Sequence, residues 1–514
     1  MLRKHGFLFL SLFLLLAGCA VNPVTGKNEI ALVGEDTELK VGQENYLPSR
    51  QSQGGDYTTI PGIQEYVSEV GQRLARVSDR DLPYEFKVIN DSTPNAWALP
   101  GGKIAVNRGL LIELENEAEL AAVLGHEIVH AAARHGAKGM ERGMVLQGAV
   151  LAAGVAAAGS DYEQIAVGGA TLGAGLLNQK YGRDAERESD YYGMQYMARA
   201  GYDPSAAIGL QETFVRLSEG QSRNWLSGLF ASHPPSRERV EANRQTAKEL
   251  GKTGELGEER YHRVIAPLLK TKEAYAAYDK GRQALAEGET EVALSLAEKA
   301  LAVEPDEALF HALRGDIRLQ QKRYQEAILN YDHALKRNEP YFYYHLQRGL
   351  ARQELGQRQQ ARQDLRRSAE LLPTAPALNA LGELSLAAGN RENAKEYFSA
   401  ASASNSTAGR SAAASLARLD IDQHPEKYLH LQFGVTRDGN FLAALSNTTE
   451  LIMSDISLGI KYRDRQGRQR SERIRIPGEL EGGKSIRIDT GIGPLPDKRP
   501  LDNLSVAIES VVLK

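Results

Sequence analysis

Cysteine is almost absent from this chain of 514 residues, in which Cys19 is the single example. One cysteine excludes internal disulfide bonds, so stability has to come from packed cores rather than from covalent cross-links. Basic residues are not in excess either, since the formal net charge is -4, and this gives no electrostatic signature of nucleic-acid binding. With 25% charged residues and a mean hydropathy of -0.40, the composition also excludes a polytopic membrane protein.

The N-terminus contains a short apolar run, Phe7 to Leu16, which follows the basic start Met1 to Lys4. The run is too short to span a bilayer as a permanent helix, and Leu16-Ala-Gly-Cys19 matches a lipoprotein processing box. We therefore expect residues 1–19 to form a lipoprotein signal peptide and Cys19 to be lipidated. Because Ala20 follows the cysteine, similarity to bacterial lipoproteins favours the periplasmic face of the outer membrane.

The most specific pattern in the chain is His126-Glu127-Ile128-Val129-His130, which lies in an alanine- and leucine-rich segment that favours a helix. Two histidines four residues apart on a helix point the same way and can bind one zinc ion. Glu127 then lies beside the water that such an ion holds. A helix with two ordinary histidines is the alternative for this motif taken alone.

Zinc in a catalytic site needs a third protein ligand and keeps one position for water. A histidine six residues after His130 would be one solution, but that position is Gly136, and His135 is one residue off. The other common solution is a glutamate on a later helix, and Glu186 and Asp190 share one helix face at a spacing of four residues. We expect Glu186 to bind the zinc and Asp190 to accept the free ring N–H of a ligand histidine. A surface charge cluster is the alternative.

Together these motifs resemble the gluzincin zinc metalloprotease family of the CAAX prenyl endopeptidases and HtpX, and within it the beta-barrel assembly-enhancing proteases with tetratricopeptide repeats. The resemblance extends from about residue 22 to about residue 247 and also includes Asn22–Gly26, Asn95–Leu110, Gly201–Pro204 and Ser232–Pro235. It implies a mainly helical α+β zincin-like domain over residues 20–265, which binds one zinc ion per chain.

The resemblance also implies catalytic roles. Glu127 would take a proton from the zinc-bound water and pass it to the leaving amine. His233 would lie near the zinc, either as a stabiliser of the oxyanion or as an inhibitory fourth ligand, with a purely structural histidine as the alternative. A tyrosine such as Tyr191 is a further candidate for oxyanion stabilisation. Arg239 is expected to form an ion pair nearby.

Two strands are predicted between Trp97 and Val106, separated by Pro100-Gly101-Gly102. In the family, a strand at this place borders the active-site cleft, and an exposed edge would hold an extended peptide through main-chain hydrogen bonds. An ordinary hairpin of the scaffold is the alternative.

The segment from Met144 to Leu177 is rich in Gly, Ala, Val and Leu, but residues 159–164 divide it into pieces too short to span a membrane. We expect two small-residue helices that pack between the metal-binding helices. A hairpin that touches the membrane over the cleft is the alternative.

After about Arg263, small residues recur with a period of about 34 residues, which is typical of tetratricopeptide repeats. The period is marked by alanines and by glycines about twelve residues before them: Ala293, Ala327, Ala361 and Ala394, and Gly281, Gly315, Gly349 and Gly382. Small side chains at these sites let paired helices approach closely. The pattern predicts an all-α solenoid of about four repeats over residues 270–422, with a concave surface for peptides or protein partners.

From about Lys427 onward, the sequence alternates with a period of two between turn-forming residues such as Asp438-Gly439-Asn440 and Gly482-Gly483. This pattern predicts an all-β, sandwich-like domain of six or seven strands over residues 427–514. It contains no metal or nucleophile motif, so we expect a binding or packing role.

The whole sequence therefore predicts a multidomain, zinc-dependent endopeptidase that is lipid-anchored in the cell envelope. It would hydrolyse misfolded or misassembled envelope and outer-membrane proteins, recruited as partners by the repeats. The alternative is a non-proteolytic chaperone or assembly scaffold that uses the repeats while its metal site is held closed by His233.

Overall fold

The computed structural model describes residues 18–144, 181–220, 233–251, 254–436, 438–464, 466–493 and 504–514. The chain divides into two compact units, Met1–Leu355 and Gly356–Lys514. The first unit contains the part with the histidine motif and the first repeat helices. The second contains the remaining repeat helices and the C-terminal strands. This arrangement confirms the predicted mixture of a zincin-like α+β part, an all-α repeat part and an all-β part.

The N-terminal part of the first unit is built around a small mixed sheet. Its elements in chain order are β1 (Gly18–Val21), β2 (Asn28–Ala31), α1 (Glu35–Ser52), α2 (Ile63–Ala75), β3 (Glu85–Ile89), β4 (Ala96–Leu99), β5 (Lys103–Asn107) and α3 (Arg108–Leu111). The sheet has the order β3-β5-β4, with β3 parallel and β4 antiparallel to β5. Gly101 and Gly102 both have positive φ, 78° and 79°, which lets the chain reverse between β4 and β5.

The histidine motif lies on the next helix, α4 (Glu117–Ala132), which is buried along almost its whole length. The Asn116 side chain accepts a hydrogen bond from the backbone N–H of Glu119 at 2.9 Å and thereby caps the first turn. Helix α4 packs against α5 (Arg183–Arg199), and Gly125 faces Gly193 across the contact. A Cβ on Gly193 would lie 3.1 Å from the backbone nitrogen of His126. The two glycines therefore allow the two motif-bearing helices to approach closely.

Three further helices complete this part of the unit: α6 (Ala206–Gly220), α7 (Arg237–Leu250) and α8 (Glu258–Lys270). Helices α6 and α7 pack on each other, α6 also packs on α4, and α7 packs on α5. The two motif-bearing helices are therefore enclosed by α6 and α7 on one side.

The repeats begin with α9 (Lys272–Ala286), α10 (Thr290–Val303), α11 (Ala308–Gln320), α12 (Tyr324–Arg337) and α13 (Phe342–Glu354). Consecutive helices pack as pairs, and the periodic small residues lie at the contacts. A Cβ on Gly281 would lie 3.0 Å from the Leu313 side chain, and a Cβ on Gly315 would lie 2.6 Å from the Tyr331 ring. These contacts give the physical reason for the period in the sequence.

Within the first unit, the repeats are fixed to the zincin-like part by a buried carboxylate. Glu307, which is 1% exposed, caps α11 by accepting a hydrogen bond from the backbone N–H of Leu309. It also accepts hydrogen bonds from Asn90 Nδ2 at 3.0 Å, from Thr59 Oγ1 at 2.5 Å and from the Tyr275 hydroxyl. The repeat surface is therefore partly occupied by the chain's own zincin-like part.

The second unit begins with α14 (Arg358–Leu371), α15 (Ala375–Ala387), α16 (Arg391–Ser402) and α17 (Thr407–Asp420). Seven strands follow: β6 (Leu429–Val435), β7 (Phe441–Asn447), β8 (Met453–Arg463), β9 (Gln469–Arg475), β10 (Glu479–Leu480), β11 (Ser485–Asp489) and β12 (Ser505–Leu513). They form two antiparallel sheets, one of the order β11-β7-β6 and one in which β8 pairs with β9, β10 and β12. Phe441, Leu445, Leu458 and Ile460 are fully buried in their shared core.

Two expectations from the sequence fall outside the described residues. Most of the predicted signal peptide lies in residues 1–17, and the glycine- and alanine-rich segment lies almost wholly in residues 145–180. Cys19 lies in β1, where its backbone pairs with Ile30. Among the helices that are described, none is both long enough and apolar enough to cross a membrane.

Candidate metal centre

Three separate stretches of the chain bring metal-binding side chains to one place. His126 and His130 come from α4, Glu186 from the first turn of α5, and His233 from the segment just before α7. One potential ligand atom from each of these four residues lies within 4.8 Å of the other three. His130, Glu186 and His233 are buried, with exposures of 1%, 3% and 6%.

The separations between these atoms fit a single tetrahedral ion. His126 Nε2 lies 3.0 Å from His130 Nε2 and 3.3 Å from His233 Nδ1, and His233 Nδ1 lies 3.0 Å from Glu186 Oε1. Glu186 Oε1 lies 3.5 Å from His130 Nε2. Ligands of a tetrahedral zinc ion, bound at distances of about 2.0–2.1 Å, are about 3.3 Å apart. The observed spacing is therefore that of a nitrogen- and oxygen-ligated metal site.

Burial and charge act in different directions on the ligand side chains. Burial opposes the charged form of His126, but its hydrogen bonds with Asp190 and Glu186 raise its pKa to about 10. Burial lowers the pKa of His130 well below its ordinary value and keeps the ring neutral, as a metal ligand requires. Burial opposes ionisation of Glu186, but the charge of His233 and hydrogen bonds from the histidine rings lower its pKa far below the usual range. Glu186 Oε2 is buried and lies 2.9 Å from Arg239 Nη1, so this oxygen is paired with a guanidinium group. Oε1 is the carboxylate oxygen that faces the other ligand atoms, at 3.0 Å from His233 Nδ1 and 3.5 Å from His130 Nε2.

Asp190 lies beside the centre and orients one of its histidines. Its Oδ1 accepts a hydrogen bond from His126 Nδ1 at 2.9 Å, which leaves Nε2 of His126 free to face the other ligand atoms. Arg239 donates to both carboxylate oxygens of Asp190, each at 2.7 Å. Burial raises the pKa of Asp190, but the opposing charge of Arg239 is strong enough to hold it below its ordinary value. Asp190 is therefore held as a carboxylate that fixes the tautomer of His126.

Glu127 lies next to the cluster but outside the group of four ligand atoms. It is 2% exposed, and its Oε1 lies 3.7 Å from His233 Nε2. Within the part of the chain that the structure describes, its Oε2 makes no hydrogen bond. Burial raises the pKa of this carboxyl. A buried carboxylate that has a free oxygen and an elevated proton affinity has the properties of a general base.

His135 takes part in the site in a way that the spacing of the motif does not reveal. Helix α4 ends at Ala132, and Arg134 has a positive φ of 63°, so the chain turns and brings His135 back toward His130. The Nδ1 atoms of the two rings are 3.0 Å apart, and His135 Nε2 lies 3.2 Å from Glu188 Oε1. Burial lowers the pKa of His135, so its ring is neutral. We assign its proton to Nε2, which donates to Glu188 while Nδ1 accepts from His130.

Replacing His135 with phenylalanine should weaken zinc binding by about 10- to 100-fold, because His130 then lacks the acceptor that orients its ring. The zinc dissociation constant is measured by competition with a chromophoric chelator. His424→Phe, at an exposed histidine of the second unit, is the matched control and should bind zinc like the wild type. Equal zinc affinities for His135→Phe and the wild type would contradict this orienting role.

The tyrosine at the centre is Tyr181 and not Tyr191. Tyr191 is 41% exposed, and its ring contacts Tyr192. The ring of Tyr181 lies 4.0 Å from the His130 ring and 5.6 Å from the His233 ring. Tyr191 directly follows Asp190, but successive helical residues point in different directions, so it is carried away from the cluster. Tyr181 lies five residues before Glu186, and this closeness to the second motif was the available signal.

Comparison with known proteins agrees with both halves of the first unit. Residues 61–247 match the sequence model of peptidase family M48, and residues 278–341 match that of the tetratricopeptide repeat. The chain is 37% identical over 223 residues to the mitochondrial metalloendopeptidase OMA1 of Schizosaccharomyces pombe, covering 42% of this chain and 63% of that protein. It is 31% identical over 181 residues to the metalloprotease YcaL of Escherichia coli, covering 34% of this chain and 68% of that protein.

A third relative matches over a longer stretch. The chain is 27% identical over 322 residues to the beta-barrel assembly-enhancing protease of Escherichia coli, covering 56% of this chain and 66% of that protein. The chain thus spans less than two thirds of the OMA1 protein of Schizosaccharomyces pombe and of this third relative.

Proposed function

The chain belongs to peptidase family M48, and from this premise we propose that it is a zinc-dependent endopeptidase. The observation that carries the proposal is the convergence of His126, His130 and Glu186 beside the buried carboxylate of Glu127. The first three side chains would hold one zinc ion. When bound, zinc supplies Lewis acidity, which polarises a peptide carbonyl and lowers the pKa of water toward about 7.

The residues around the ion carry the proton transfers. Glu127 accepts the proton of the attacking water on its free oxygen and then donates it to the nitrogen of the departing amine. Asp190, itself held by Arg239, keeps His126 in the tautomer that presents Nε2 to the ion. His233 and Tyr181 border the cluster, with their ring centres 5.6 Å apart, and a ring N–H or a hydroxyl there can stabilise the oxyanion.

The substrate backbone would bind along β4. This strand packs on α4 and forms one edge of its sheet, since β5 is its only strand partner among the described residues. An unpaired strand edge offers alternating N–H and C=O groups to an extended peptide. A peptide added at this edge would pass the histidine motif and present its scissile bond there.

We further propose that the enzyme acts in the cell envelope on misfolded or misassembled envelope and outer-membrane proteins. Support comes from the lipoprotein box at Cys19 and from the relative named beta-barrel assembly-enhancing protease. Lipidation of Cys19 would place the enzyme on the periplasmic face of the outer membrane. The tetratricopeptide repeats would recruit substrates or assembly proteins, since stacked repeats present extended binding surfaces.

A second candidate function is a non-proteolytic chaperone or assembly scaffold. It is favoured by the position of His233, whose Nδ1 lies 3.0 Å from Glu186 Oε1 and 3.3 Å from His126 Nε2. A fourth protein ligand at this place would occupy the position that a catalytic zinc ion keeps for water. The site would then stay closed, and the repeats would carry the function.

The zinc content and casein-degrading activity of the purified full-length protein test the proposal. We expect about one zinc ion per chain, loss of casein degradation after chelation and its recovery when zinc is added back. Zinc-loaded protein that leaves casein intact would contradict the proposed endopeptidase function. In a cellular assay, a Glu127→Ala variant fails to restore the phenotype of the wild-type protein if cleavage is required. The variant restores that phenotype if the scaffold function is sufficient.

A further inference from the structure

A small cavity lies beside Glu127, and the proposed mechanism does not use it. Its volume is about 40 Å³ and it lies between α4, α5, α6 and α7. His126, Glu127 and His233 lie at the side of the cavity that faces the metal centre. The rest of the wall combines apolar side chains with the Asp190–Arg239 ion pair and Asn243, and the apolar side chains include Val123, Met194, Met197, Leu210 and Phe214.

Two polar atoms in the cavity wall have no hydrogen-bond partner among the described residues. They are Gln211 Oε1 and Ser189 Oγ, although Gln211 is only 5% exposed and Ser189 is fully buried. Both residues line the cavity, one from α6 and the other from α5. A buried polar atom without a partner costs about 1–3 kcal/mol, so this pair favours an occupant that can form hydrogen bonds. A hydroxyl both donates and accepts, and it therefore satisfies either atom.

The position of the cavity identifies the part of a substrate that would enter it. Glu127 has to reach the nitrogen of the leaving amine, so the residue that supplies this nitrogen lies on the Glu127 side of the ion. Val123 is one helical turn before Glu127 on the same face of α4, and it lines the cavity. The side chain that points into the cavity is thus that of the residue directly after the scissile bond.

We propose that this cavity is the specificity pocket for the residue after the scissile bond, and that it selects threonine or serine. The inference rests on the proposed endopeptidase function. The cavity has about a quarter of the volume of a cavity that binds benzene, which is about 150 Å³, so its size disfavours aromatic side chains. The apolar part of its wall accepts the methyl group of threonine, while Gln211 and Ser189 bind the hydroxyl. Valine has the shape of threonine but leaves both polar atoms without a partner.

The residues found at the new N-termini of casein fragments test this pocket directly, because each new N-terminal residue followed a cleaved bond. Mass spectrometry of the digest is normalised to the residue frequencies of casein. For the wild type, we expect bonds that precede threonine to be cleaved about tenfold more readily than bonds that precede valine. This ratio corresponds to one neutral hydrogen bond. Phenylalanine, tyrosine and tryptophan should be depleted. Equal use of threonine and valine, or enrichment of aromatic residues, would overturn the proposal.

Variants locate the preference in the pocket. Gln211→Leu replaces the amide with an apolar group of similar size and should bring the threonine-to-valine ratio close to one. Ser189→Ala, a smaller change, should lower the same ratio and serves where Gln211→Leu does not fold. Gln245→Leu, at an exposed glutamine of α7, is the matched control and should retain the ratio of the wild type.

The outcomes separate this proposal from the function on which it rests. If zinc-loaded wild-type protein cleaves casein and both pocket variants retain the threonine preference, the pocket assignment is wrong while the endopeptidase stands. If zinc-loaded wild-type protein leaves casein intact, the endopeptidase assignment fails and the pocket assignment fails with it.

Discussion

Replacing Glu127 with glutamine should lower kcat/KM for casein cleavage by about 10³-fold, while the protein still binds one zinc ion per chain. Glutamine has nearly the shape of glutamate, so the packing of α4 is retained. Its amide cannot accept a proton from water and pass it to the leaving amine. Because Glu127 lies outside the group of four ligand atoms, zinc binding does not depend on it.

The comparison requires activity and zinc content on the same preparations. Glu115→Gln is the matched control, since Glu115 is an exposed glutamate just before the same helix, and its activity should be that of the wild type. An active Glu127→Gln protein would show that another group transfers the proton. Loss of zinc together with activity would instead assign Glu127 to metal binding.

The metal-binding residues are largely predictable because their spacing is local. Two residues four apart on a helix share a face whatever the rest of the chain does, and this applies to His126 with His130 and to Glu186 with Asp190. The spacing within each pair does not show that the two pairs meet. That step came from the need of a catalytic zinc ion for a third protein ligand, and the family resemblance agreed with it. In the structure the two helices are joined through Gly125 and Gly193.

Contacts that depend on an interruption of regular structure were missed. Extension of the helix past Ala132 predicts that His135 lies on a different face, but the positive φ of Arg134 turns the chain and returns His135 to His130. A non-glycine residue with positive φ has no reliable sequence signature. Tyr191, the example given for an oxyanion-stabilising tyrosine, is exposed and contacts Tyr192, and the tyrosine beside His130 is Tyr181.

The repeats also have one feature that the sequence predicts and one that it does not. Their period of small residues predicts the helix pairs, because a close contact within each pair requires it. The attachment of the repeats to the zincin-like part depends on Glu307, which bonds to residues more than two hundred positions earlier. A single glutamate at the start of a helix is common, so nothing in the local sequence distinguishes this one.

Glu38 is a second buried carboxylate that the sequence did not predict. Through Arg134 it contacts the chain just after the end of the metal-binding helix α4. Glu38 lies in α1 and is fully buried, with Arg80 Nη1 3.0 Å from its Oε2 and Arg134 Nε bonded to its Oε1. Arg134 also donates to the carbonyl oxygen of Val33. Both guanidinium groups are largely buried, with side-chain exposures of 7% for Arg80 and 11% for Arg134. The carboxylate therefore neutralises two buried cations at the point where α4 ends.

Replacing Glu38 with glutamine should lower the free energy of unfolding by about 3–5 kcal/mol, because the buried guanidinium of Arg134 loses its counter-charge and that of Arg80 keeps only the exposed Glu35. Glu35→Gln is the matched control, since Glu35 pairs with the same Arg80 but its side chain is 64% exposed, and its effect should be within about 1 kcal/mol. The free energies are measured by denaturant unfolding of the full-length proteins, with zinc held at the same concentration for each. Equal effects of the two substitutions would show that burial of the Glu38 carboxylate does not determine its contribution, and that the end of α4 is held by other contacts.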